Sequence, residues 1–97
     1  MNVYWTDSAI EHLGAVYRYV AETSSEYALR VVDRLTKRSQ QIALFPLSGR
    51  VLPEMNVPQI REVVEGPYRI IYHIKPDRIE VLAVIHGAQF FPWQDAP

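Results

Sequence analysis

A chain of 97 residues has room for a single hydrophobic core, and its 48% apolar content sets it apart from disordered compositions. It contains no cysteine, which excludes disulfides, thiolate nucleophiles and cysteine-based zinc sites. Its formal net charge of −1 lacks the positive excess typical of proteins that bind nucleic acid through phosphates.

The opening "MNVYWTDS" has neither a basic nor an apolar leader region. No apolar run approaches the roughly 18 residues of a membrane helix. A cytoplasmic protein without a membrane partner is therefore expected. "NVYW" (2–5) is a short β-prone run, after which Thr6 reads as a helix N-cap with Asp7 at the positive end of the dipole. Ile10, Leu13, Tyr17 and Val20 recur at spacings of 3 and 4 and predict a first helix over about 7–22. "TSS" (23–25) breaks it and offers a second cap. Ala28, Val31, Val32, Leu35 and Ile42 then predict a second helix, running to about Leu44 and stopping before Pro46. Two amphipathic helices so closely joined form a helical hairpin.

"FPLSGRVLPEMNVP" (45–58) carries Gly49 and three prolines and reads as a loop. Within it, Gly49 supplies an unusual backbone, Pro53 stiffness, and Arg50 with Glu54 an ion pair that clips the segment. After the loop the period changes to two. "QIREVVEG" (59–66), "YRIIYHIK" (68–75) and "RIEVLAVIHG" (78–87) read as strands joined by "GP" and "KPDR" turns, hence antiparallel neighbours. In the last strand Val81, Ala83 and Ile85 are expected on one face and Leu82 and Val84 on the other; with both faces apolar it should be central. The order β-α-α-β-β-β predicts an α+β domain, a helical hairpin on a small, mainly antiparallel sheet.

The chemistry-bearing residues are few. His86 closes the last strand; a general base there needs companions, and the other histidines, His12 and His73, sit in the first helix and at mid-strand. We read His86 as structural. Arg69, just after the "GP" turn, has the residue type to hold a phosphate or carboxylate, but its spacing favours pairing with Glu62 or Glu65. Arg30, Arg34, Lys37 and Arg38 share one helix face; such stripes are commonly solvated, and the functional reading is a docking face for an acidic partner. Phe90, Phe91 and Trp93 cannot continue a central strand through Pro92; either they fold back on the core or a partner covers them. No metal site and no cofactor is expected.

Three segments carry a family resemblance: "YWTDSAIEHLGAVYRYVAETS", "FPLSGRVLPE" and "IREVVEGPYRIIYHIKPDRIEVLAVIHGA". Together they span nearly the whole chain, which resembles the ParE branch of the ParE/RelE family of bacterial type II toxins. The resemblance implies a toxin neutralised by a ParD-like antitoxin in a hetero-oligomer, with DNA gyrase as target and no hydrolytic activity. The RelE-like branch implies instead a ribosome-dependent mRNA endonuclease, with Arg69 and His86 as candidate groups. Arg69 matches an arginine of both branches. The basic pair of RelE-like enzymes is missing from "REVVEG", and no tyrosine follows Tyr72. Gln89 departs from the arginine that commonly follows the His-Gly motif, and this motivates a third alternative, a non-toxic relic that only binds antitoxin. The resemblance marks Arg69, His86, Gln89, Phe90, Phe91 and Trp93 as candidates for action on the target.

Overall fold

The computed structural model describes residues 1–87 and 89. The chain runs β1 (Asn2–Trp5), α1 (Asp7–Ala21), α2 (Ser25–Leu44), β2 (Arg50–Val51), β3 (Ile60–Glu65), β4 (Tyr68–Ile74) and β5 (Arg78–His86). The sheet order is β1-β5-β4-β3-β2, with β1 parallel to β5 and the other pairs antiparallel. The expected α+β fold, a helical hairpin against a mainly antiparallel sheet, is therefore the observed one. No helix among the described residues is long and apolar enough to cross a membrane.

Local chemistry sets the element ends. The Thr6 hydroxyl accepts from Ala9 N–H (3.1 Å) and the Ser24 hydroxyl from Tyr27 N–H (3.1 Å), capping both helices as their residue types dictate. Gly66 turns the β3–β4 hairpin at φ 58°, a left-handed conformation that favours glycine. The helices cover one sheet face around Val16, Val31, Leu35, Ile42, Val63, Ile70, Tyr72, Ile79, Val81 and Val84. Each fully buried Leu, Ile or Val there contributes about 1.5–3 kcal/mol. Ser39, also buried, accepts from Trp5 Nε1 (3.3 Å) and donates to the Thr36 carbonyl (2.7 Å), which ties α2 to β1.

Three expectations need correction. Ile10 is not in the buried stripe of α1: it is 55% exposed, and the packed positions are Ala9, Leu13, Val16 and Val20. The stripe is turned by one residue because the cap at Thr6 donates its backbone N–H to the Val81 carbonyl (3.0 Å) and sets how α1 leaves β1. The presumed loop contains a strand, β2, whose Arg50 and Val51 pair with Glu62 and Arg61. Finally, the faces of β5 do not alternate throughout. The register passes from Ile71↔Ala83 to Tyr72↔Val81, leaving Leu82 as an extra residue. Val81 and Val84 consequently face the helices, while Leu82, Ala83 and Ile85 join Leu52, Ile60, Ile71 and Met55 in a second cluster on the opposite face. The strand is central and buried from Ile79 to Ile85 apart from half-buried Glu80, as expected.

Candidate functional site

From its attachment at Gly49, the 45–58 segment carries Leu52 and Met55 onto the helix-free face of the sheet. Gly49 N–H donates to the Tyr72 hydroxyl (3.1 Å), which donates in turn to the Pro46 carbonyl (2.7 Å). Arg61 adds hydrogen bonds from Nη1 to the Gly49 carbonyl (2.9 Å) and from Nε to the Pro58 carbonyl (2.9 Å). A Cβ on Gly49 would lie 2.5 Å from the Glu62 carbonyl oxygen and 2.5 Å from the Tyr72 hydroxyl, so close approach, not an unusual dihedral, demands glycine here. Tyr72 and Arg61 had no role in the sequence reading; nothing in their spacing marks a tyrosine whose hydroxyl meets a loop 23 positions away.

So tethered, the loop brings Glu54 over β4. Arg69, 8% exposed, donates from Nη2 and Nη1 to the two carboxylate oxygens of Glu54 (2.7 and 2.9 Å) and from Nε to Glu62. Glu62, 1% exposed, also accepts from Arg50 on β2. Arg69 pairs with Glu62 and not Glu65 because strand side chains alternate. Glu62 lies diagonal to Arg69 on one face, whereas Glu65, opposite Tyr68, belongs to the other. Arg50 likewise turns to its register partner Glu62, which links it to Glu54 through an Arg50–Glu62–Arg69–Glu54 chain. The hydrogen bonds that Arg69 donates to Glu54 outweigh the cost of burial and push the Arg69 pKa up, so it stays a cation.

The chain of charges floors a groove of about 830 Å³, with Pro53 and Val64 on its walls and His86 and Gln89 at its end. His86 is exposed, its ring edge-on to Tyr68 at 6.0 Å between centroids and 80° between planes. Arg69 Nη1 also donates to the Gln89 carbonyl (3.0 Å), so Arg69, Gln89 and His86, singled out separately in the sequence, come together with Arg50, Pro53 and Glu54. Phe90, Phe91 and Trp93 lie outside the described residues.

The basic stripe is elsewhere. Arg30, Arg34, Lys37 and Arg38 lie on α2, across the sheet from the groove. Their local partners are weak: Arg30 stacks over Tyr27 (5.7 Å), Lys37 meets Asp33 (2.9 Å) with both side chains more than half exposed, and Arg38 bonds Gln41 (3.2 Å). Arg34 edges a notch of about 150 Å³ with Tyr27 and Tyr68. His12, unassigned from sequence, accepts Val84 N–H at Nδ1 (3.2 Å) on the edge of β5 that β1 covers only as far as Val81. Among the described residues no cluster of His, Asp or Glu is arranged to hold a metal ion.

Comparison with known proteins agrees with this architecture. Residues 3–91 match the model of the ParE toxin of the type II toxin–antitoxin system parDE. Y4kP of Sinorhizobium fredii, a candidate toxin by name, is 33% identical over 93 residues, covering 94% of this chain and 93% of that protein. Toxin RelE2 of Caulobacter vibrioides is 30% identical over 89 residues, 91% and 97% of the two chains. A solved structure, the chromosomal ParDE TA system from P. aeruginosa, superposes with a TM-score of 0.74 at 25% identity, covering 89% of this chain and 95% of that one. The chain belongs to the ParE toxin family of type II toxin–antitoxin systems.

Proposed function

We propose that this toxin acts by binding DNA gyrase, without cutting RNA, and that a ParD-like antitoxin holds it inactive. The observation that carries the first part is the state of Arg69. Cleavage of RNA calls for cationic donors aimed at a developing phosphorane. The Arg69 guanidinium is buried and committed to Glu54, Glu62 and the Gln89 carbonyl. A phosphate would have to displace a bidentate carboxylate pair to reach it, and Glu54 and Glu62 repel an anion at the same place. The net charge of −1 disfavours approach to ribosomal RNA as well. For the antitoxin, the exposed Arg30, Arg34 and Lys37, with the half-buried Arg38, offer an acidic segment a positively charged track on α2. The ParDE assembly among the structural relatives supports a partner of that kind.

The deciding experiment adds purified toxin to a gyrase supercoiling reaction and, in parallel, to a cell-free translation reaction whose mRNA ends are mapped. Blocked supercoiling with intact mRNA is expected. Cleaved mRNA with unaffected gyrase would support the RelE-like reading, which the similarity to Toxin RelE2 favours. Neither effect, with normal growth on overexpression, would leave only antitoxin binding.

A further inference from the structure

The geometry points to Gln89 as a positioning residue that locks the backbone just beyond the end of β5. β5 ends its ladder at the pair Tyr68↔His86. Beyond it, the turn is closed reciprocally: Gln89 N–H donates to the His86 carbonyl (2.9 Å), and His86 N–H donates to Gln89 Oε1 (2.8 Å). Gly87 N–H donates to the Pro67 carbonyl (2.7 Å), and Arg69 Nη1 takes up the Gln89 carbonyl (3.0 Å). Gln89 is thus held at its amide, its side chain and its carbonyl.

The lock is coupled to the rest of the groove. Arg69 reaches Gln89 from a position set by Glu54 and Glu62, and Glu54 stands where the Gly49–Tyr72 tether puts it. The run is loop, carboxylate, guanidinium, exit point. The side-chain requirement is narrow. An acceptor is needed at the length of glutamine: glutamate supplies one, methionine matches the length without a comparable acceptor, and arginine or lysine carries only donors. Phe90, Phe91 and Trp93 follow Gln89 in the sequence, and the lock fixes the described backbone at the point where that segment begins. Its functional arm rests on the gyrase reading above.

The test uses the full chain with Gln89→Met and Gln89→Glu. Hydrogen exchange at the His86 amide, followed by NMR, is expected to accelerate about fivefold in Gln89→Met, the factor for one hydrogen bond of ordinary net strength. In Gln89→Glu it stays within about a factor of two of the parent. Gln89 is exposed, so the folding equilibrium should weaken in Gln89→Met by no more than about that same fivefold factor, and the unfolding midpoint should stay near the parent's in Gln89→Glu. Gyrase inhibition is expected to fall in Gln89→Met and be kept in Gln89→Glu. Parent-like exchange in Gln89→Met overturns the lock. Faster exchange with unchanged inhibition, or equal loss in both variants, overturns its positioning role. If the parent chain leaves gyrase untouched, the gyrase reading falls with its functional arm, and the exchange data alone decide the lock.

Discussion

Replacing Gly49 with alanine puts a methyl group where two elements already touch. The new carbon would sit 2.5 Å from the Glu62 carbonyl oxygen and 2.5 Å from the Tyr72 hydroxyl, against an optimal separation of about 3.5–4 Å. Neither neighbour is a flexible side-chain tip: one is backbone of β3, the other a ring fixed in the core. Relief requires the loop to withdraw, which breaks the Gly49–Tyr72 and Tyr72–Pro46 hydrogen bonds. Overpacking costs about 1–3 kcal/mol and each hydrogen bond about 0.5–1.5 kcal/mol. Withdrawal trades one for the other, so the net loss is about 1–3 kcal/mol. At about 4–8 °C per kcal/mol for a domain this size, the melting temperature should drop by roughly 5–25 °C. Gly14→Ala is the control: it lies inside α1, where a Cβ meets only Arg18 Nη1 at 3.3 Å, and should stabilise by about 0.5–1 kcal/mol. Urea unfolding of both variants reads the contrast. A Gly49→Ala midpoint equal to the parent's, alongside the expected gain in Gly14→Ala, would refute the tethered loop.

His12→Ala strips the acceptor from the buried Val84 N–H and should cost about 1–3 kcal/mol in urea unfolding, the penalty for an orphaned buried donor. The His73 imidazole is held below its ordinary 6.5, first by burial and then by Lys75, with the facing Glu80 pulling the other way. A depressed histidine leaves the native state with fewer bound protons than the unfolded chain. Its contribution to stability is therefore full above 6.5 and declines as pH falls below that value; thermal melts between pH 7 and 5 should show this slope flattened in His73→Gln. Reversing Arg30, Arg34, Lys37 and Arg38 to glutamate should weaken antitoxin binding and flatten its salt dependence in calorimetric titrations. Unchanged affinity would remove α2 as the docking face.

The fold was legible wherever one period ran unbroken. Both helices, the three long strands and their hairpins follow from apolar spacing and turn residues. What escaped was non-local. Two residues, Arg50 and Val51, are too few to show a period, and their strand exists because Tyr72 and Arg61 hold the loop against β3. The bulge at Leu82 swaps faces inside a run that is apolar on both, where alternation carries no contrast. Ile10 looked core-facing because its spacing is helical, but the docking of Thr6 on β5 turned the helix past it. At the site, Arg69, Glu62 and the Arg50/Glu54 loop were all visible as charges. Their pairing required register, which joins Glu62 to both arginines and leaves Glu65 on the far face. The role of His12 was invisible, since it answers a backbone donor 72 positions away.

Because the buried Arg69 network argues for action through binding, the most direct measurement is plasmid DNA incubated with gyrase and toxin, then with added antitoxin. We predict arrested supercoiling with accumulation of gyrase-linked DNA breaks, reversed by antitoxin, while mRNA in a translating extract stays intact. Undisturbed supercoiling at large toxin excess, together with cleaved mRNA in that extract, would contradict the proposal.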